Sequence, residues 1–397
     1  MLKLIDNPRK AGRCTADLHR FGPEQAEKVR DFHRSFPEYE PTPLAALPLL
    51  SLHLGLGGIY VKDESSRFDL NAFKVLGGSW AIANFIAKRL GARVENLTFD
   101  LLTNPDLKKM LGELTFVTAT DGNHGRGVAW TANRLDQKSV VYMPKGTAKE
   151  RMVNIRALGS DVSITDLSYD DAVRLARKQA EEKGWVLMQD TSFEGYDTIP
   201  GWIMEGYLTM AAEAVEQLQR VRPTHIFLQA GVGSMAGALT AYFASLWPGE
   251  ERPDITIVEP DRADCIFRSA QDGQVRCVTG ELDTMMAGLA CGEPCPLGWE
   301  ILKEYADHFI SMDDACAARG MRVLGNPLPG DDRVISGESG ASTMGALMQL
   351  MTDPTLEADR ERMGLNEHAR VLLFSTEGNT DQENYCRVVW NGLLPNQ

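Results

Sequence analysis

The sequence predicts an α/β fold, with parallel strands layered against helices and divided between two sizeable domains. Three observations lead there. The chain has 397 residues, too many for one ordinary core. Short β-rich runs alternate with helical patterns, the order that parallel sheets require. Residues 224–228, 255–258 and 371–374 are continuous apolar runs rich in Ile, Val and Leu, as in strands buried on both faces.

The elements follow in order. Residues 116–120 read as a strand that ends in a Gly-rich turn, with a helical run over 128–135. Residues 139–143 are strand-like and are ended by Pro144. Thr147 with Glu150 has the spacing of a capping box. It opens a helix through Met152, Ile155 and Leu158, closed by Gly159. Residues 161–165 are a strand. Ser168 then caps a helix carrying Val173, Ala176 and Ala180 on one face and ending at Gly184, and 185–188 form a further strand. This series predicts a small domain over 77–195. Residues 1–76 and 196–397 then form a discontinuous large domain. In the large domain each apolar run is followed by small or polar residues: 229–234 (QAGVGS), Glu259-Pro260 and 375–378 (STEG). Ligands in open α/β sheets bind at the carboxyl ends of strands, so these ends point to one ligand site.

Composition narrows the function. Hydrophobic residues make up 43% of the chain and charged residues 24%, as in globular proteins. A formal net charge of -14 argues against nucleic acid and anionic membranes as partners. No apolar run reaches the roughly 20 residues of a bilayer span. The basic patch near the N-terminus has no apolar segment after it, so no signal peptide is expected and the cytoplasm is the expected location. The seven cysteines (Cys14, Cys265, Cys277, Cys291, Cys295, Cys316 and Cys386) are scattered and are expected to be free buried thiols. Cys291 and Cys295 have no second ligand pair, and the seven histidines lack metal-ligand spacing. No metal is expected.

Four motifs carry chemistry. In residues 71–78 (NAFKVLGG) Lys74 stands among Phe73, Val75 and Leu76. A lysine in an apolar run is partly desolvated, which frees its amine for Schiff-base chemistry. Residues 120–127 (TDGNHGRG) follow a strand and precede a helix, and their glycines let the backbone approach a flat ligand. Residues 230–237 (AGVGSMAG) offer backbone N–H groups and a positive helix end to a phosphate. Their spacing also fits a dinucleotide fingerprint, but no clear acidic ribose partner follows, and a nucleotide enzyme leaves the lysine motif unexplained. Residues 375–381 (STEGNTD) put hydroxyls at a strand end, where they can hydrogen-bond a pyridine nitrogen.

In this order, from Pro41-Thr-Pro-Leu44 to Asp381, the motifs resemble those of the fold-type-II pyridoxal-phosphate (PLP) enzymes, the class of tryptophan synthase β and threonine dehydratase. That family shows Ser-Phe-Lys-x-Arg-Gly around its lysine. Here the stretch is Ala72-Phe73-Lys74-Val75-Leu76-Gly77, without the Ser and Arg. Within the class the chain is similar to diaminopropionate ammonia-lyases, through residues 71–78, 120–130 (TDGNHGRGVAW), 189–196 (QDTSFEGY), 286–294 (MAGLACGEP), 320–327, 335–341 and 375–381.

The resemblance implies two open, twisted, mostly parallel sheets flanked by helices, with PLP held between a large and a small domain. It implies a homodimer and a small amino-acid substrate. The activity implied is an α,β-elimination that turns 2,3-diaminopropionate and water into pyruvate and two ammonia; the alternative is a serine or threonine dehydratase of the same fold. Lys74 is the Schiff-base residue. Asn123 contacts the ring hydroxyl, and Gly231, Val232, Gly233, Ser234 and Met235 form the phosphate loop. Ser375 or Thr376 faces the ring nitrogen. His124 is a packing or positioning residue.

Asp121 stands where the dehydratase pattern has a small neutral residue. An added carboxylate can pair with a second substrate ammonium or take a proton. Asp190 is a second candidate, with a helix cap as its alternative role. Lys74 is the expected base on one face, and Asp121 or Asp190 on the other, which permits both D and L substrates. For Glu338, a place near the ring and a structural role both stand open.

Overall fold

The three apolar runs become adjacent parallel strands in the middle of a large sheet. The computed structural model describes residues 2–8, 18–120 and 122–394. Its strands are β1 (Lys3–Asp6), β2 (Leu44–Ala46), β3 (Gly58–Asp63), β4 (Thr115–Ala119), β5 (Lys138–Met143), β6 (Asp161–Ile164), β7 (Val186–Leu187), β8 (His225–Gln229), β9 (Asp254–Pro260), β10 (His308–Met312) and β11 (Arg370–Ser375). One sheet has the order β1-β10-β9-β8-β11-β3-β2 and the other β6-β5-β4-β7. Pairing is parallel except where β1 meets β10 and β2 meets β3, at the two edges of the large sheet. Every residue of β8 is buried, as are Ile255–Pro260 of β9 and Val371–Ser375 of β11. Layers of helix cover both faces of such strands.

Six helices position the site: α1 (Val75–Leu90), α2 (Asn123–Arg134), α3 (Lys149–Arg156), α4 (Tyr169–Lys183), α5 (Thr198–Gly206) and α6 (Ser234–Leu246). Ser168 caps α4, accepting from Asp171 N, and Gly184 ends it in the left-handed conformation. The expected capping box at Thr147 does not form. The helix there is capped by Ala148 without a side-chain bond, and the Thr147 hydroxyl donates to Pro144 O instead. The turn after Pro144 claims the hydroxyl that the helix would have used.

A division at 76/77 falls inside α1. This helix packs on both units: a Cβ on Gly77 would sit 2.7 Å from Ile203 of α5, and one on Gly127 of α2 would sit 2.7 Å from the Val75 Cα. The main apolar cluster accordingly runs through both units, from Trp80 and Trp130 to Ile203, Phe243 and Ile257. The small sheet adds two clusters of its own, around Val117 and around Val141. The close crossing at Gly127 lays α2, which begins at Asn123, against the start of α1, which begins just after Lys74.

Among the described residues Cys265, Cys295 and Cys316 are buried free thiols, and Cys291 is buried. Cys277 departs from expectation by being exposed, Cys386 is half-buried, and Cys14 lies outside the described residues.

Candidate active site

The segment that leads to Lys74 starts from a buried ionic network. Arg67 Nη2 lies 2.7 Å from Glu213 Oε2, Arg67 Nε lies 2.9 Å from Glu64 Oε2, and Lys62 Nζ lies 2.7 Å from Glu213 Oε2. All four side chains are buried. Two cations offset two carboxylates, which is what burial of charge demands. Just beyond Arg67 the backbone turns left-handed at Phe68, Asp69 and Asn71. Asp and Asn tolerate that region, and Phe68 is a strained exception. The turn is then stitched to the end of β11: Phe73 N donates to Thr376 O, and Gly378 N donates to Asn71 O. Lys74 follows and caps α1.

The Lys74 ammonium meets Asp190, with Nζ 2.6 Å from Oδ2. Asp190 is buried. Its Oδ1 accepts from Tyr169 Oη at 3.2 Å and Gln189 Nε2 at 3.2 Å, and His124 Nδ1 lies 3.9 Å from Oδ2. Burial alone raises such a carboxyl. The charges of His124 and Lys74 and the donated hydrogen bonds outweigh it and hold Asp190 well below the usual carboxylate range. Asp190 therefore stays ionised. It caps no helix, because the next one, α5, starts at Thr198 behind Asp197. Ser234 Oγ donates to the Asp190 carbonyl at 2.7 Å, tying this carboxylate to the first turn of α6. His124 is buried and donates from Nε2 to Met188 O at 2.7 Å, with its other nitrogen toward Asp190.

The lysine, the aspartate and a phosphate-type loop line one cleft of about 650 Å³, open to solvent. It is walled by Lys74, Asn123, Asp190, Gly231, Val232, Gly233, Ser234, Met235 and Thr376 among others. Gly233 has φ +91 and places the chain at the start of α6. The first amides of a helix lack intrahelical partners and carry the positive dipole end. A Cβ on Gly231 would come within 3.1 Å of Gly288 O and 3.2 Å of Cys291 Sγ, so this approach needs glycine.

Of the two hydroxyls at the end of β11, Thr376 alone lines the cleft. Gln229 Nε2 donates to Thr376 Oγ1 at 2.7 Å, leaving the threonine proton to donate elsewhere. Ser375 is turned into the core, where its hydroxyl bonds Ser336 Oγ at 2.8 Å; consecutive strand residues face opposite sides. Glu259 is likewise away from the cleft. Its carboxyl accepts from Ile266 N and Phe267 N, so the end of β9 serves a helix start and not the ligand site. Asp121 lies outside the described residues.

Tyr169, Gln229 and Glu377 also line the cleft and carry polar atoms that the motif reading did not single out. Gln229 and Glu377 stood inside the quoted stretches QAGVGS and STEG. Tyr169 had only its place beside the capping Ser168 as a signal. Glu338 is buried beside a neighbouring cavity that also touches Tyr169 and Cys291, and it pairs with Arg151 at 2.9 Å.

Residues 36–365 match a family model described as pyridoxal-phosphate dependent enzyme. The diaminopropionate ammonia-lyase of Escherichia coli (strain K12) is 51% identical over 374 residues, covering 94% of this chain and 93% of that one. The holo structure of the Escherichia coli diaminopropionate ammonia lyase superposes with a TM-score of 0.93 at 48% identity, covering 99% of this chain and 98% of that one. The same enzyme in complex with D-serine gives a TM-score of 0.93 at 47% identity, covering 100% and 98%.

Proposed function

The chain belongs to the family of pyridoxal-phosphate-dependent enzymes, and from that premise we infer that it is a carbon–nitrogen lyase converting 2,3-diaminopropionate and water to pyruvate and two ammonia. The observation that carries this reading is the Lys74–Asp190 pair set over the glycine loop at the start of α6. The half-identical relative that bears this activity in its name supports the substrate.

The residues present fit PLP. A glycine-lined helix start suits its phosphate. Thr376, with its oxygen already accepting from Gln229, has a proton for the ring nitrogen. Asn123 lines the same cleft and suits the ring hydroxyl. Bound through Lys74, the cofactor supplies an electron sink for the pair left at Cα. A neutral hydroxyl donor, unlike a carboxylate, leaves the ring nitrogen largely unprotonated.

The rest belongs to the protein's own groups. Once the substrate amine has displaced it, the Lys74 amine takes the Cα proton from one face. Asp190, which stays ionised, or Asp121 is assigned the other. The same carboxylates pair with the β-ammonium before it leaves as ammonia. An enzyme with bases on both faces admits D and L substrates, and the relative's complex with D-serine supports entry of a D-amino acid. The cleft draws Asn123, Tyr169 and Asp190 from the small unit and Gln229, Ser234 and Thr376 from the large one, which supports a cofactor held between a small domain over 77–195 and a large one made of 1–76 and 196–397. No helix among the described residues is long and apolar enough to cross a membrane. A cytoplasmic homodimer is the assembly proposed, on family resemblance and the sequence reading.

Two measurements check this. Coupled 2-oxoacid assays (pyruvate from 2,3-diaminopropionate or serine, 2-oxobutyrate from threonine) are expected to give a kcat/KM for 2,3-diaminopropionate at least about 10²-fold above that for serine or threonine, since the added carboxylates favour a second ammonium. A preference for the hydroxy amino acids moves the enzyme to the dehydratases. Thr376→Val is nearly isosteric and is expected to weaken PLP binding about tenfold, the worth of one hydrogen bond. Unchanged affinity by PLP titration removes Thr376 from the ring.

A further inference from the structure

Glu377 has no part in the scheme above, yet it lines the cleft and is 1% exposed. Its Oε2 lies 2.5 Å from Asn123 Nδ2, and its Oε1 accepts from Ser339 N at 3.1 Å. Thr380 Oγ1 reaches Oε2 at 3.5 Å. A carboxylate oxygen only accepts. The two ends of an asparagine amide have the same shape, so the partner decides which is which. Against Glu377 the Asn123 amide must present its NH2 end, and the same nitrogen keeps one hydrogen to donate into the cleft that Asn123 also lines.

A second buried carboxyl, Glu338, lies close by. Glu338 precedes Ser339, whose N–H donates to Glu377, and it has Oε1 bound to Arg151 and Oε2 accepting no hydrogen bond among the described residues. Burial first, and then the neighbouring charge of Glu377, push the Glu338 carboxyl up to about 8, so Glu338 holds its proton at neutral pH.

We infer that Glu377 is a positioning residue for the cofactor, locking the Asn123 amide so that an N–H, and not a carbonyl oxygen, meets the ring hydroxyl. The inference rests on the proposed contact between Asn123 and that hydroxyl. It assigns the acidic residue of the STEG stretch a task that a turn does not need.

The test compares holoenzymes carrying Asn123→Ala, Glu377→Gln and both. The readouts are the visible absorption spectrum of the bound PLP and its Kd by titration. Each single change is expected to shift the absorption band and raise Kd about tenfold. The double variant is expected to be no worse than Asn123→Ala, because the two residues act through one bond. Wild-type spectrum and affinity in Glu377→Gln, or effects that add in full, overturn the inference while leaving the Asn123 contact standing. No effect of Asn123→Ala overturns that contact, and the inference with it. If Glu377→Gln does not fold, Asn123→Asp combined with Glu377→Gln restores the bond in the opposite sense. That pair is expected to fold yet keep the shifted band, and a wild-type band in it contradicts the assignment.

Discussion

Lys74→Ala is expected to yield a protein without a yellow band that processes 2,3-diaminopropionate at least about 10³-fold more slowly. Two losses combine. The Nζ that anchors the cofactor is gone, and so is the proposed base on one face; a positioned base alone is worth about 10²–10⁴ in rate. The fold should persist. Lys74 is half-buried, with 19% of its side chain exposed, and the segment around it is held by backbone bonds to Thr376 and Gly378 that alanine keeps. Asp190 loses one cation but retains Tyr169, Gln189 and the nearby His124. A variant that stays coloured, or that keeps activity within tenfold of wild type, contradicts the assignment.

Asp190→Asn should depress turnover of one enantiomer of 2,3-diaminopropionate by about 10²–10⁴-fold and that of the other by less than about tenfold. The two enantiomers present their Cα–H bonds to opposite faces of a flat ring, so one fixed carboxylate cannot reach both. Asp121 is the alternative base for that same face, so Asp121→Asn should depress turnover of the same enantiomer or of neither. Asparagine preserves the shape of Asp190 and can still accept from Tyr169, so a proton-transfer defect is separated from misfolding. Separate pyruvate assays with each enantiomer decide the matter. Equal losses of both enantiomers in Asp190→Asn and in Asp121→Asn contradict a carboxylate base on the face opposite Lys74.

What the sequence made legible was what short range and periodicity encode. The apolar runs at 224–228, 255–258 and 371–374 became neighbouring strands because a strand buried on both faces has no polar alternation to blur it. Ser168 and Gly184 marked the ends of α4 through local bonds. The glycine loop at 230–237 was readable because Gly233 needs its left-handed φ and Gly231 its lack of a side chain.

The parts that escaped depend on contacts between distant residues. Lys74 meets Asp190 across 116 positions, and Asn123 meets Glu377 across 254. Choosing Thr376 over Ser375 required the pleat of β11, which a hydroxyl pair in sequence does not reveal. Glu259 looked like the other strand ends, yet its carboxyl is consumed by the amides of Ile266 and Phe267. The ionic network at the start of the segment leading to Lys74 joins Lys62, Glu64 and Arg67 to Glu213, residues that read one at a time as surface charges.

The most direct test of the central claim is the visible absorption spectrum of the purified protein, recorded before and after adding 2,3-diaminopropionate while pyruvate is followed. A yellow band that changes on addition, with two ammonia released for each pyruvate, is the predicted result. A colourless protein that takes up no added PLP and forms no pyruvate contradicts it.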